Sequence, residues 1–243
     1  MKSQIKKHFL LIPAFSFAAN LFFAQPTSDA GMWNTFSIEK QFNAKFFASI
    51  DQELRLKENF TMLNLLYTNL GIGMKPFKGL KVSLTYRWID KWRYETQNFS
   101  IRQRLMLDIT YKQKVGVLSL AYRARFQTEY RDFSVSQLGK VPEWFWRNKF
   151  DVKYKIGKYT PYIGVEFRYQ IKDPRNPDAD NGWHRVRSFA GVDYDINANN
   201  SCGVYYLTQH DLGVRNAQYL YILGLQYSIT LKPKDKTTVS PTQ

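Results

Sequence analysis

The chain is poor in the residues that build most catalytic and cross-linked sites. Its one cysteine, Cys202, permits no internal disulfide and reads as packing filler. Of its three histidines only His184 and His210 lie beyond the first 24 residues. No apolar run there approaches the roughly 20 residues that a membrane-spanning helix needs, and the mean hydropathy is −0.44. A helical membrane bundle is thereby excluded. A barrel is not, because its strands alternate lipid-facing and lumen-facing residues and their average hydropathy stays low.

Abundance begins at the N-terminus. Lys2, Lys6 and Lys7 form a basic region, Phe9 to Phe23 are mostly apolar, and Ala24–Gln25 is a cleavage point. Pro13 and Asn20 interrupt the apolar stretch, which argues for a signal peptide rather than an anchor. With no cysteine at the cleavage point, a lipoprotein anchor is not expected. The expected organisation is a signal peptide over 1–24, a barrel over 25–231 and a Lys/Thr/Pro-rich periplasmic tail over 232–243. Cleavage removes three lysines and no acid, taking the formal charge from +15 to +12. Such a charge calls for anionic partners. An exported chain seldom meets nucleic acid, so lipopolysaccharide phosphates or a small anionic solute are the candidates.

Beyond the signal the pattern has period two almost throughout, which is the code of a strand. Phe99, Ile101, Leu105, Leu107, Ile109 and Tyr111 share one face, and Ser100, Arg102, Arg104, Met106, Asp108, Thr110 and Lys112 the other. Leu80–Trp88, Leu118–Phe126, Phe150–Ile156, Ile163–Ile171 and Tyr219–Leu231 repeat it. Several runs exceed ten residues, the length of a tilted membrane strand and longer than most strands of soluble domains. Full charges on the second face also rule out a dry soluble core there.

Connections alternate between short ones, such as Gln113–Lys114 and Gly157–Lys158, and long ones. Five tryptophans, Trp88, Trp92, Trp144, Trp146 and Trp183, fall at the long-loop end. Tyr111, Tyr154, Tyr159, Tyr194 and Tyr227 fall near the short-turn end, completing two interfacial girdles. The expected fold is an all-β, antiparallel up-and-down transmembrane barrel. About eleven segments can be counted, but bacterial single-chain barrels normally have an even number. A periplasmic C-terminus makes the last strand run downward, and alternation then makes Gly31–Gln41 run downward too. Twelve strands are therefore expected in preference to ten.

The second face carries a concentration of arginine. Pairing across the short turns sets Arg104 beside Arg125, and Arg147 and Lys149 beside Arg168. Arg87, Arg102, Arg185 and Arg187 extend this to a contiguous basic lumen wall, with Glu39, Asp51 and Glu53 expected across the lumen. Glu129, Asp151, Glu166 and Asp193 are interspersed. Arginine suits carboxylates and phosphates because its fork binds two oxygens. Two readings stay open: a path or track for anions, and an ion-pair ladder that fills a narrow lumen.

No catalytic, metal or cofactor site is nominated. His184 precedes Arg185, Val186, Arg187 and Ser188, and His210 adjoins Asp211 with no serine nearby, so neither starts a recognisable triad. Both are expected as rim or loop groups. The loop Asn176–Gly182 faintly resembles a calcium loop, but its glycine falls one place late and the twelfth position is Arg187 instead of Glu.

Several short motifs recur in order: Ala24-Gln25, Asp29-Ala30-Gly31-Met32-Trp33, Asp51-Gln52-Glu53-Leu54-Arg55, Tyr86-Arg87, Ile101-Arg102-Gln103-Arg104-Leu105, Tyr122-Arg123-Ala124-Arg125, Pro161-Tyr162 with Glu166, and Arg185-Val186-Arg187. Together they resemble a family of uncharacterised outer-membrane barrels common in Bacteroidota. The resemblance covers nearly all of the mature chain. It implies a barrel with an outer-membrane address and carries over no catalytic residues. The functional expectation is a barrel with a narrow basic lumen, either a weakly anion-selective pore or plugged by its own side chains. The alternatives are a non-conducting structural or surface-binding barrel acting through its outer loops, and a lipid-modifying enzyme.

Overall fold

The computed structural model describes residues 27–134, 136–174, 181–213 and 217–233. The expected signal peptide, nearly all of the tail and most of the calcium-like loop lie outside these residues. Eleven strands form one ring: β1 (Thr27–Gln41), β2 (Phe46–Lys57), β3 (Met62–Met74), β4 (Leu80–Arg93), β5 (Asn98–Val115), β6 (Leu118–Arg131), β7 (Glu143–Tyr154), β8 (Tyr159–Lys172), β9 (Gly182–Asp195), β10 (Asn200–Asp211) and β11 (Gln218–Leu231). Among the described residues the one helical piece is a single 3₁₀ turn, Leu138–Lys140.

Each strand pairs antiparallel with its sequence neighbour, but the ring closes through a parallel ladder between β1 and β11, in register from Thr27↔Gln218 to Lys40↔Leu231. This corrects the expected twelve or ten strands and the purely antiparallel pattern. An even count is required only if the closing pair is antiparallel. A parallel ladder also satisfies the edge N–H and C=O groups, so no strand is missing. Both strands run in one direction, as the alternation argument implied, and Thr27 and Leu231 lie at opposite ends of the barrel. Following the register from Gln41 around the ring returns to β1 near Thr27. That stagger of about 14 residues sets a strand tilt of roughly 40°.

The period-two pattern decides facing. Outward positions are apolar and open: Leu70 is 54% exposed, Ile72 64% and Ile163 61%. Inward positions hold nearly all the mid-strand charges. Polar outward groups are satisfied locally. Thr68 Oγ1 donates to Gln52 Oε1 at 2.7 Å and Tyr122 Oη to Asn148 Oδ1 at 2.6 Å.

Turn chemistry tightens the short end. β5 and β6 join through Gly116–Val117, and Gly116 has φ +59, a conformation that favours glycine. β5 therefore runs past Gln113–Lys114, which the sequence suggested as the turn. Glycine also makes room inside. A Cβ at Gly224 would overlap the Tyr205 ring, which lies across it from the neighbouring strand.

Candidate functional site: the barrel lumen

The register assembles the arginines. Arg125, Arg147, Arg168 and Arg185 are successive neighbours across β6, β7, β8 and β9. Arg87 pairs with Arg104 across β4 and β5. Arg102, Arg187 and Lys149 flank these rows on the same face. The basic wall is thus a physical surface, and the expected neighbour relation of Arg147 and Arg168 holds. That of Arg104 and Arg125 does not. Arg104 lies opposite Glu129, and Arg125 opposite Asp108, because the hairpin turns later than the sequence suggested.

Such a wall would repel itself without counter-charge, since unit charges 4 Å apart interact by about 4 kcal/mol at an effective dielectric of 20. Two buried carboxylates supply most of the compensation. Glu129 accepts from Arg104 at 2.8 Å and from Arg102 and Arg131 at 3.2 Å each. Glu166 accepts from Arg147 at 2.5 Å, Arg123 at 2.7 Å and Arg187 at 3.3 Å. Asp108 takes a two-pronged bond from Arg125 at 2.5 and 2.6 Å, and Asp211 one from Arg185 at 2.6 Å. Lys149 pairs with Asp151 at 2.9 Å.

Two arginines of the wall have no carboxylate partner among the described residues. Arg87 donates to Asn69 at 2.7 Å and lies 3.7 Å over the Tyr67 ring. Arg168 contacts the His184 ring at 3.1 Å and lies 4.8 Å over Phe145. His184 is the extra residue of a bulge: Arg168 pairs with Arg185 and Tyr169 with Trp183. A bulge re-aims a side chain, and here it turns a buried imidazole toward Arg168. His210 lies on β10, not in a loop, and its ring meets Tyr219 edge-on at 4.5 Å.

The three acids expected across the lumen do point inward from β1 and β2, on the far side of the ring from β6 to β8, but their bonds go to nearer groups than the arginine row. Glu39 binds Lys81 at 2.7 Å and Lys75 at 3.2 Å near the short-turn end. Glu53 binds Arg55 on its own strand at 2.5 Å, and Asp51 accepts from Asn69 at 3.1 Å. Asp51 and Glu53 find polar partners on their own or the adjacent strand, and Glu39 reaches lysines at and beyond the end of β3.

Period-two reading also missed contributors. Arg123 and Arg131 share the two central carboxylates. Trp33, the tryptophan not assigned to a girdle, points inward and is stacked by Arg55 at 3.6 Å. Its alternation with Gly31 and Thr35 is the signal that could have found it. Trp88, Trp144 and Trp183 are outward and exposed. Trp146 packs between Phe126 and Trp183, while Trp92 packs on Phe99 at the cavity mouth.

The lumen has two chemically distinct sides. β4 to β9 carry most of the charges, and β2 adds the Glu53–Arg55 pair. β11 offers Gln218, Leu220, Ile222, Gly224, Gln226 and Ser228, and β10 offers Ser201, Gly203, Tyr205, Leu207 and Gln209 before Asp211 at the rim. Trp33, Leu207 and Ile222 form a buried apolar cluster, with Phe189, Tyr205 and Leu220 against it. Both sides line one cavity of about 940 Å³. Its lining runs from the long-loop rim at Asp29, Tyr94 and Asp173 down to Arg123, Lys149, Tyr162 and Gln226. Below that level, ties cross the lumen. Lys81 on β4 reaches Glu39 on β1, and Asp193 on β9 holds both Lys153 of β7 at 2.9 Å and Gln226 of β11 at 2.5 Å. The Phe47 ring lies 4.1 Å under the Lys81 ammonium. Among the described residues the space is therefore a vestibule open toward the long loops and tied across toward the short turns.

A protein-family model described as a protein of unknown function, DUF2490, matches residues 30–219. The chain belongs to the DUF2490 family. The match runs from β1 to the start of β11, so the DUF2490 unit is the barrel itself, and it brings no activity with it. No curated protein matches the chain.

Proposed function

We propose that this DUF2490 barrel resides in the outer membrane of a Gram-negative bacterium. There it presents a basic vestibule that holds small anionic solutes at the cell surface and does not conduct freely at rest. The observation that carries the reading is the inside-out arrangement: an open apolar exterior around a lumen whose arginine row outnumbers the carboxylates that bind it. In lipid every backbone group must pair internally, which a closed ring achieves. The tryptophans at one end and tyrosines at the other fit the two interfaces, making lipopolysaccharide and phospholipid the surrounding partners. Export by a cleaved signal peptide and a periplasmic tail complete the picture. The reading assigns no catalytic step.

The test combines location with conductance. Fractionation should place the protein in outer membranes, resistant to carbonate extraction, with heat-modifiable gel mobility. Recovery as a soluble periplasmic protein would remove the membrane reading. In planar bilayers the wild type should be nearly silent. Glu39→Gln with Asp193→Asn should open an anion-preferring current by releasing Lys75, Lys81 and Lys153. A large wild-type current would instead make the lumen an open pore. A second reading, binding through the outer loops, draws on the exposed Phe133, Leu138 and Val141 between β6 and β7. A silent barrel in which no solute enters the vestibule would favour it.

A further inference from the structure

A lumen built only to hold inorganic anions, or only to plug itself with ion pairs, has no use for an apolar side. This lumen has one. Leu220, Phe189 and Tyr205 are partly open to a cavity that also exposes the arginine wall. Behind them Leu207 and Ile222 are fully buried, so the sector is a firm surface.

The wall opposite carries unsatisfied donors. The Nε–H groups of Arg102, Arg123, Arg147 and Arg168 are buried with no hydrogen-bond acceptor. Arg147 already gives its Nη2 to Glu166, yet Arg168, its neighbour in register, has only the neutral contacts of His184 and Phe145. Arg168 is further flanked by Arg185 in the same row. A cation in that position gains from any anion that enters. Buried polar groups normally find partners, and a multi-oxygen anion can accept from several guanidiniums at once.

We infer that the vestibule binds an amphipathic organic anion. Its sulfonate, carboxylate or phosphate head would lie at Arg168 and Arg147, and its apolar or aromatic body against Leu220, Phe189 and Tyr205. This rests on the vestibule reading above and adds the ligand's class to it. The cavity volume falls in the range of small-molecule sites, which pair an apolar lining with a few placed polar groups. The head supplies charge compensation that the acids of the wall do not. The body removes from water the apolar surface that the uncharged strands present.

The experiment is titration calorimetry on the refolded full-length barrel in zwitterionic nanodiscs, with empty nanodiscs as reference. Three probes separate the parts: naphthalene-2-sulfonate, methanesulfonate (the head alone) and naphthalene-2-sulfonamide (the uncharged body). The sulfonate should bind at one site per barrel, at least about tenfold tighter than either of the others. Arg168→Gln should weaken it about tenfold. This variant leaves no carboxylate unpaired, and retained heat-modifiable mobility confirms its fold. Leu220→Asn should weaken naphthalene-2-sulfonate and leave methanesulfonate unchanged. Equal binding of naphthalene-2-sulfonate and methanesulfonate, unmoved by Leu220→Asn, overturns the amphipathic inference while the anion vestibule stands. Equal binding of the sulfonamide overturns the role of Arg168. Binding of no probe overturns the inference and the vestibule reading together.

Discussion

Glu166→Gln is the sharpest test of whether the charge network holds the lumen together. Glu166 is 3% exposed and bonds Arg147, Arg123 and Arg187. The glutamine keeps the volume and one acceptor oxygen but removes the only carboxylate those three arginines share. Breaking a buried ion pair costs about 3–5 kcal/mol. The arginine partners retain 10–25% side-chain exposure, so water relieves part of this, and the lower end, about 3 kcal/mol, is the working figure. At a urea slope of about 2 kcal/mol/M the unfolding midpoint should fall by roughly 1.5 M. Arg168→Gln is the matched control. Arg168 has no carboxylate to strand and two arginine neighbours to relieve, so its midpoint should hold or rise. Arg147→Gln added to Glu166→Gln should recover part of the loss, because one uncompensated cation is removed. Folded fraction is read by heat-modifiable mobility along the urea series. Equal midpoints for Glu166→Gln and wild type would refute the reasoning, since the lumen would then be wet enough to solvate the arginines on its own.

Three further outcomes follow from the facing and packing. Leu107→Arg places a charge on the outward face and should cost about 2–4 kcal/mol if that face meets lipid, whereas Ser83→Arg, inward and opposite Asp108, should assemble normally; equal assembly yields would contradict the assigned parity. Gly224→Ala should destabilise by about 1–3 kcal/mol by overpacking against Tyr205, and Tyr205→Ala in the same chain should relieve it; unfolding midpoints without rescue would place the strain elsewhere. The current opened by Glu39→Gln with Asp193→Asn should lose anion preference between 0.1 M and 1 M salt, as the Debye length falls from about 10 to 3 Å; reversal potentials indifferent to salt would assign the selectivity to pore size.

The facing of the strands was legible because period two is a strictly local property. Leu105 and Leu107 outward against Arg104 and Asp108 inward needs nothing beyond adjacency in sequence. Ring closure was not legible, since the parallel β1–β11 ladder joins residues about 190 positions apart and rests on a pairing choice that neither strand announces. Registry was partly legible: Arg147 beside Arg168 survives because the turn at Gly157 was placed correctly. Arg104 beside Arg125 fails because a turn misplaced by a few residues moves each partner by twice that shift. The partners of the acids were hidden for a different reason. Facing says that Glu39, Asp51 and Glu53 enter the lumen, but not that Lys81, Asn69 and Arg55 reach them first. His184 was expected at the rim or in a loop, and its inward contact with Arg168 was hidden because a bulge breaks the parity that would have exposed it.

The uncharged sector coincides with the closing seam, and that coincidence allows a second physical account of it. Strands β10, β11 and β1 meet where the ring shuts, and a seam without inward mid-height charge can close without first desolvating guanidiniums, each several kcal/mol to bury. If that were the whole reason for Leu220 and Ile222, a polar neutral residue would serve as well as an apolar one. Leu220→Asn would then leave both assembly and naphthalene-2-sulfonate binding intact, and Leu220→Arg would impair assembly alone. A ligand surface makes the opposite demand: Leu220→Asn loses the aromatic sulfonate while assembly stays normal. The two accounts therefore separate on one substitution, because seam closure is indifferent to apolarity and a binding face is not.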